Sequence, residues 1–167
     1  RDPAGLMADT RARKVGRRLY LNNCAACHGV GGNGAVSFPD LTDDEWLGDN
    51  DFNAIKRTIL NGRAGVMPPW GPALGDDGVT ATANYVLKLA GLPHDAARAE
   101  EGATGLTTFC VACHGPAGKG NPALVAPYMT NESWLYEPTL ESIEYTIRNR
   151  RTNNMPAHAD MLGEERA

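Results

Sequence analysis

Cys24-Ala25-Ala26-Cys27-His28-Gly29 returns, at an offset of 86 positions, as Cys110-Val111-Ala112-Cys113-His114-Gly115. Moving outward, the offset becomes 88 and the correspondence continues through Pro39 with Pro127, Thr42 with Thr130, Trp46 with Trp134 and Leu47 with Leu135. Further on, Ile55, Thr58, Ile59, Asn61, Arg63, Met67 and Pro68 match Ile143, Thr146, Ile147, Asn149, Arg151, Met155 and Pro156. A match sustained at one spacing marks a duplicated unit. On this reading the 167 residues divide into an N-terminal segment 1–13, a first domain 14–91, a linker 92–95 around Pro93, and a second domain 96–167. Halves of this size stabilise themselves only weakly with side chains alone, so a cofactor is expected to fill each interior.

In Cys-x-x-Cys-His two sulfurs can add to the vinyl groups of a haem while the adjacent histidine is held beneath the iron. Two covalently bound haems c are therefore expected, one on Cys24, Cys27 and His28 and one on Cys110, Cys113 and His114. These motifs use all four cysteines and leave none for disulfides. A zinc site built from the two pairs would not need a histidine directly after each. A thioredoxin-like dithiol follows a strand, whereas each motif here ends a helical pattern.

The distal ligand has to come from a separate loop. Of the five methionines, Met67 and Met155 match each other under the repeat, each followed by proline; Met129 aligns with Leu41 and Met161 with Ala73. The pairs His28 with Met67 and His114 with Met155 are expected, with Met129 as the alternative at the second iron. His94 falls in the linker and His158 aligns with Trp70, which suits surface or haem-rim roles. Trp46, Trp134, Arg63 and Arg151 also match in pairs, and their donors are expected to reach haem propionates, because a partly buried carboxylate needs partners.

The periodicity is helical, and an all-α fold is expected. Val15, Leu19 and Ala26 mark a helix over 10–26 that runs into the first motif; Phe52, Ile55, Ile59 and Leu60 share a face between a cap at Asn50 or Asp51 and a stop at Asn61-Gly62. A third helix spans about 79–90, and the second half repeats the first two near 96–112 and 138–149. Hydrophobic residues make up 42% and charged ones 22%, with no apolar run long enough to span a bilayer. A net charge of −4 argues against nucleic-acid binding. The basic run Arg11, Arg13, Lys14, Arg17 and Arg18 and the acidic run Asp43, Asp44, Glu45, Asp49 and Asp51 read as solvated faces, with partner docking as the alternative.

Both halves resemble class I cytochromes c over about residues 14–91 and 96–163, each wrapped around its haem. That resemblance implies that the Pro39 and Pro127 carbonyls orient His28 and His114, and that Gly16 and Tyr20 on the first helix cross Tyr85 on the last. In the second half Leu106 replaces the aromatic. Leu-x-Asn-Cys-Ala-Ala-Cys-His-Gly, Phe38-Pro39-Asp40-Leu41-Thr42, Ile59-Leu60-Asn61-Gly62-Arg63 and Gly65-Val66-Met67-Pro68-x-Trp70-Gly71, followed by Trp134-Leu135-Tyr136 and Met155-Pro156-Ala157-His158, are similar to the di-haem subunit of cbb3-type cytochrome c oxidases. The resemblance implies electron transfer without a catalytic site on this chain. Electrons would pass from a soluble donor cytochrome c to the mono-haem and catalytic subunits, on the periplasmic side of the bacterial inner membrane. Attachment would be through a membrane segment outside this sequence. A free di-haem shuttle of the cytochrome c4 kind is the alternative, and a di-haem enzyme or gas sensor a third. The counterpart of helix 79–90 would begin near residue 167, so a further last helix is expected beyond it, and without it an apolar groove is expected around Leu106 and Phe109.

Overall fold

A computed structural model describes residues 3–167. Its elements run α1 (Pro3–Ala8), α2 (Thr10–Asn23), α3 (Ala25–His28), α4 (Phe52–Asn61), β1 (Arg63–Met67), α5 (Gly71–Leu89), α6 (Ala96–Gly105), a π-helical turn (Leu106–Cys110), α7 (Val111–His114), a 3-10 turn (Pro122–Leu124), α8 (Leu140–Arg148), β2 (Arg151–Met155) and α9 (Ala159–Leu162). The duplication is visible in the caps. Asp9 opens α2 by accepting from the backbone of Arg11 and Ala12, and Asp95 opens α6 by accepting from Ala97 and Arg98. Asp51 on Ala54 and Thr139 on Ser142 do the same for α4 and α8, satisfying donors that a helix start leaves orphaned.

The chain is mostly helical, but the all-α expectation is corrected by a two-stranded antiparallel sheet. β1 pairs with β2 in the register Arg63↔Met155, Gly65↔Asn153 and Met67↔Arg151. Burial alternates along both strands, so these six residues share the half-buried face. Five-residue strands separated by most of the second half carry too little alternation to be read locally.

Contacts divide the chain into two compact units: residues 3–62 with 156–167, and residues 63–155. The expected boundary at 92–95 thus falls inside the second unit. There α5 and α6 form an antiparallel pair joined by the short segment 90–95, and the Asn84 side chain accepts from the Asp95 backbone at 2.8 Å while donating to Thr80 at 2.9 Å. The helices touch closely because Gly102 carries no side chain; a Cβ there would overlap the Ala81 carbonyl. Around that crossing Val79, Ala83, Val86, Leu87, Leu106, Cys110, Met129, Ile143 and Ile147 are buried together. The groove expected at Leu106 and Phe109 is therefore filled. Leu106 is 1% exposed, and Phe109 meets Trp70 with ring centroids 5.2 Å apart. Tyr85 packs against this cluster, so the crossing expected at Gly16 is made at its counterpart Gly102.

In the unit built from both ends of the chain, α9 packs on α4, and the His158 backbone donates to the Ile59 carbonyl at 3.0 Å. In the other unit the Trp70 backbone donates to Ile147 at 2.9 Å. Trp70 and His158 are repeat partners, as are Ile59 and Ile147. The unit 63–155 thus joins the opening helices of the second repeat to the Met67-Pro68 segment of the first, and the other unit joins the first repeat's opening helices to the segment that begins at Pro156.

Candidate functional site

Each Cys-x-x-Cys-His lies on a single helical turn, α3 or α7, that ends at a glycine with positive φ, Gly29 or Gly115. The chain then folds back identically twice. Gly34 donates to the His28 carbonyl at 2.9 Å, and Gly120 to that of His114 at 3.0 Å. Both glycines have positive φ, and a Cβ at either would press on backbone atoms at 2.6–2.7 Å. This return sets the proline carbonyls against the imidazoles: His28 Nδ1 lies 3.0 Å from Pro39 O, and His114 Nδ1 lies 2.9 Å from Pro127 O. A carbonyl can only accept, so Nδ1 carries the proton and Nε2 keeps its lone pair. Each histidine is 8% exposed. Burial lowers the His114 pKa, with the Pro127 hydrogen bond opposing the shift, and so favours the neutral ring that a metal requires.

None of the four cysteines forms a disulfide. Burial, then the neighbouring cysteine of the same motif, raises the pKa of Cys24 and of Cys110. Tyr20, the counterpart of Leu106, donates its hydroxyl to the Gly29 carbonyl at 2.6 Å and braces the first motif. Among the described residues no three His, Cys, Asp or Glu side chains converge as metal ligands. Paired thiols beside a buried, correctly oriented imidazole fit a covalently held haem.

The expected propionate donors are engaged elsewhere. Trp46 Nε1 donates to the Asp43 carbonyl and Trp134 Nε1 to the Asn131 carbonyl, each at 3.1 Å. Arg63 reaches the Pro122 carbonyl at 3.3 Å. Arg151 lies over Tyr136 at 3.8 Å and Tyr145 at 4.6 Å from the ring centroids, while its Nε and Nη2 donate to Thr146 Oγ1. In both tryptophans the indole bonds a local carbonyl three residues back. For Arg151 the two rings supply a different role. Arg151→Ala is expected to destabilise its unit by about 1–2 kcal/mol in urea unfolding, with Arg151→Lys recovering only part.

Met67 is half-buried against the cluster that contains Cys110, in the unit that holds His114. The helix following it, α5, packs on α6 and α8 of the second repeat. Met155 is half-buried at the end of β2 and runs through Pro156 into α9. Met129, 9% exposed, is a member of the same cluster as Cys110, while Met161 and Met7 are exposed. His94 bonds its own linker at Leu92 O, 2.8 Å, as suits a surface residue. His158, expected at a surface or haem rim, is buried at 8% exposure.

A family model described as "Cytochrome C oxidase, cbb3-type, subunit III" matches residues 11–86 and again residues 97–167. The chain belongs to the cbb3-type cytochrome c oxidase subunit III family. The two matches of the subunit III model follow the duplication read from the motifs. The cbb3-type cytochrome c oxidase subunit CcoP of Rubrivivax gelatinosus is 42% identical over 98% of this chain and 54% of its own length. The subunit FixP of Bradyrhizobium sp. (strain ORS 278) is 41% identical over 87% of this chain and 54% of its own. The FixP of Bradyrhizobium diazoefficiens is 40% identical over 94% and 57% respectively. The chain thus spans about half the length of the curated relatives it matches. Among the described residues no helix is long and apolar enough to cross a membrane.

Proposed function

We propose that this chain carries two covalent haems c, one on each Cys-x-x-Cys-His, and relays electrons into a cbb3-type oxidase without a catalytic site of its own. The donor is a soluble cytochrome c, and the acceptors are the mono-haem and catalytic subunits. The haem domains sit on the periplasmic side of the bacterial inner membrane. The observation that carries this reading is the twice-built proximal side, His28 on Pro39 and His114 on Pro127. Two equivalent sites on one chain suit a relay, and relatives named as oxidase subunits favour this over a free shuttle.

Bound haem supplies a one-electron couple at its iron. The residues do the rest. Pro39 and Pro127 hold each imidazole in one tautomer and one orientation. Met67 and Met155 would hold the iron through their thioethers, a soft donor that would favour the ferrous state and raise the potential. Met67 packs against the cluster that contains Cys110, which supports it as the ligand beside His114; Met155, the partner expected from chain order, ends the same unit.

Intact mass of the purified protein is expected to exceed the polypeptide by two haems that resist acid-acetone extraction. Replacing Cys110 and Cys113 by alanine should remove one of the two and leave the other. Extractable haem, or a mass increment of one in the unaltered chain, refutes the two-haem reading. Recovery of the oxidase core with a tagged form of the full-length subunit tests the partners.

A further inference from the structure

His158 is a residue whose surroundings call for something the polypeptide does not supply. It is 8% exposed, its backbone is tied to the Ile59 carbonyl, and its Nδ1 is buried with no hydrogen-bond partner. An unpaired polar nitrogen inside a protein forfeits its hydration with no return, so buried imidazoles are normally bonded.

The repeat shows what that position faces. Trp70 makes the same backbone bond, to Ile147, in the unit of His114. Its ring lies against Phe109, next to Cys110, and packs on the cluster that contains Cys110. The Trp70 position therefore walls the space beside the Cys-x-x-Cys-His of its unit. His158 occupies that position in the unit that holds Cys24, Cys27 and His28. One wall is an indole, and the other is an imidazole with an unused nitrogen.

We propose that His158 Nδ1 donates a hydrogen bond to a propionate of the haem on His28, which makes the two haem sites chemically unequal. This rests on the reading that His28 carries a haem. The macrocycle presents an apolar rim apart from its two carboxylates, so a propionate is the acceptor that such a nitrogen can find. Donation to that carboxylate draws negative charge away from the porphyrin. The ferric state loses some of its electrostatic advantage, and the potential of that haem rises. His158 acts through the propionate and is a positioning residue, not an iron ligand.

The test uses the haem-loaded protein with His158→Phe and His158→Gln, read by redox titration and by the propionate-bending bands in resonance Raman spectra. In H158F one haem is expected to fall in potential with its propionate band shifted, while the other haem keeps both values; H158Q should restore most of the change. The affected haem should be the one lost on replacing Cys24 and Cys27 by alanine. If H158F fails to fold, NMR of the ferrous wild-type protein with 15N-labelled histidine decides, a slowly exchanging Nδ1 proton on His158 being expected. Unchanged potential and bands in H158F, a change confined to the haem on His114, or a rapidly exchanging Nδ1 proton overturns the proposal. Loss of the haem reading itself shows separately, as an intact mass without the added haem.

Discussion

Met67→Ala is expected to abolish the weak sulfur-to-iron absorption of the haem on His114 and to leave that on His28 intact. The thioether favours ferrous iron, so the affected haem should also fall in potential on the order of 0.1 V or more, within the ~0.8 V range that axial ligands command. Covalent attachment should persist, because the cysteines and proximal histidine do not depend on the distal side. The assignment is read in protein whose Cys24 and Cys27 are alanine, leaving only the haem on His114. There Met67→Ala removes the band and Met155→Ala does not. If Met155→Ala removes it instead, ligation follows chain order and the exchanged pairing is wrong; if neither does, Met129 is the ligand.

The second large effect concerns two glycines that look alike in sequence. Gly102 is buried on α6, where a Cβ would overlap the Ala81 carbonyl, so Gly102→Val forces α5 and α6 apart. The expected loss is roughly 2–4 kcal/mol, at or above the usual range for overpacking, because rigid helix backbone cannot yield as a side chain does. Gly16, its repeat partner, is exposed on α2, and among the described residues nothing lies within 4 Å of a Cβ placed there. Gly16→Ala should accordingly stabilise α2 by about 0.5–1 kcal/mol, since alanine has less backbone freedom to lose. Urea unfolding of both variants measures the contrast. Equal destabilisation would mean that Gly16 faces a close neighbour as Gly102 does.

That contrast also shows what the sequence could not convey. The motifs, a cap at Asp51 and the helix over 52–61 were legible, because each depends on neighbours in sequence or on the repeat itself, while the proline partners of both histidines followed from the resemblance to class I cytochromes c. Which copy of a surface meets which copy of a helix was not. A duplicated chain presents the same docking surface twice, so periodicity is neutral between a helix closing on its own repeat and closing on the other. The choice rests on the short segment 90–95, which sets α5 antiparallel to α6, and on the β1–β2 pairing. For Trp46 and Trp134 the matched positions establish shared geometry without naming the shared partner, here a backbone carbonyl three residues back. His158 was read from its alignment with Trp70 as a surface or haem-rim residue, and only its burial with an idle nitrogen separates the two.

The register of the small sheet bears on the order in which the molecule is completed. Residues 63–155 are contiguous and can close as soon as they have been synthesised, whereas the other unit must wait for residues 156–167. If the intervening stretch were flexible, bringing its ends together would cost roughly 4 kcal/mol by the logarithmic dependence on loop length. Pairing of Arg63 with Met155 sets those ends about 5 Å apart before the last residues arrive. The ladder thus turns a long excursion into a short bridge.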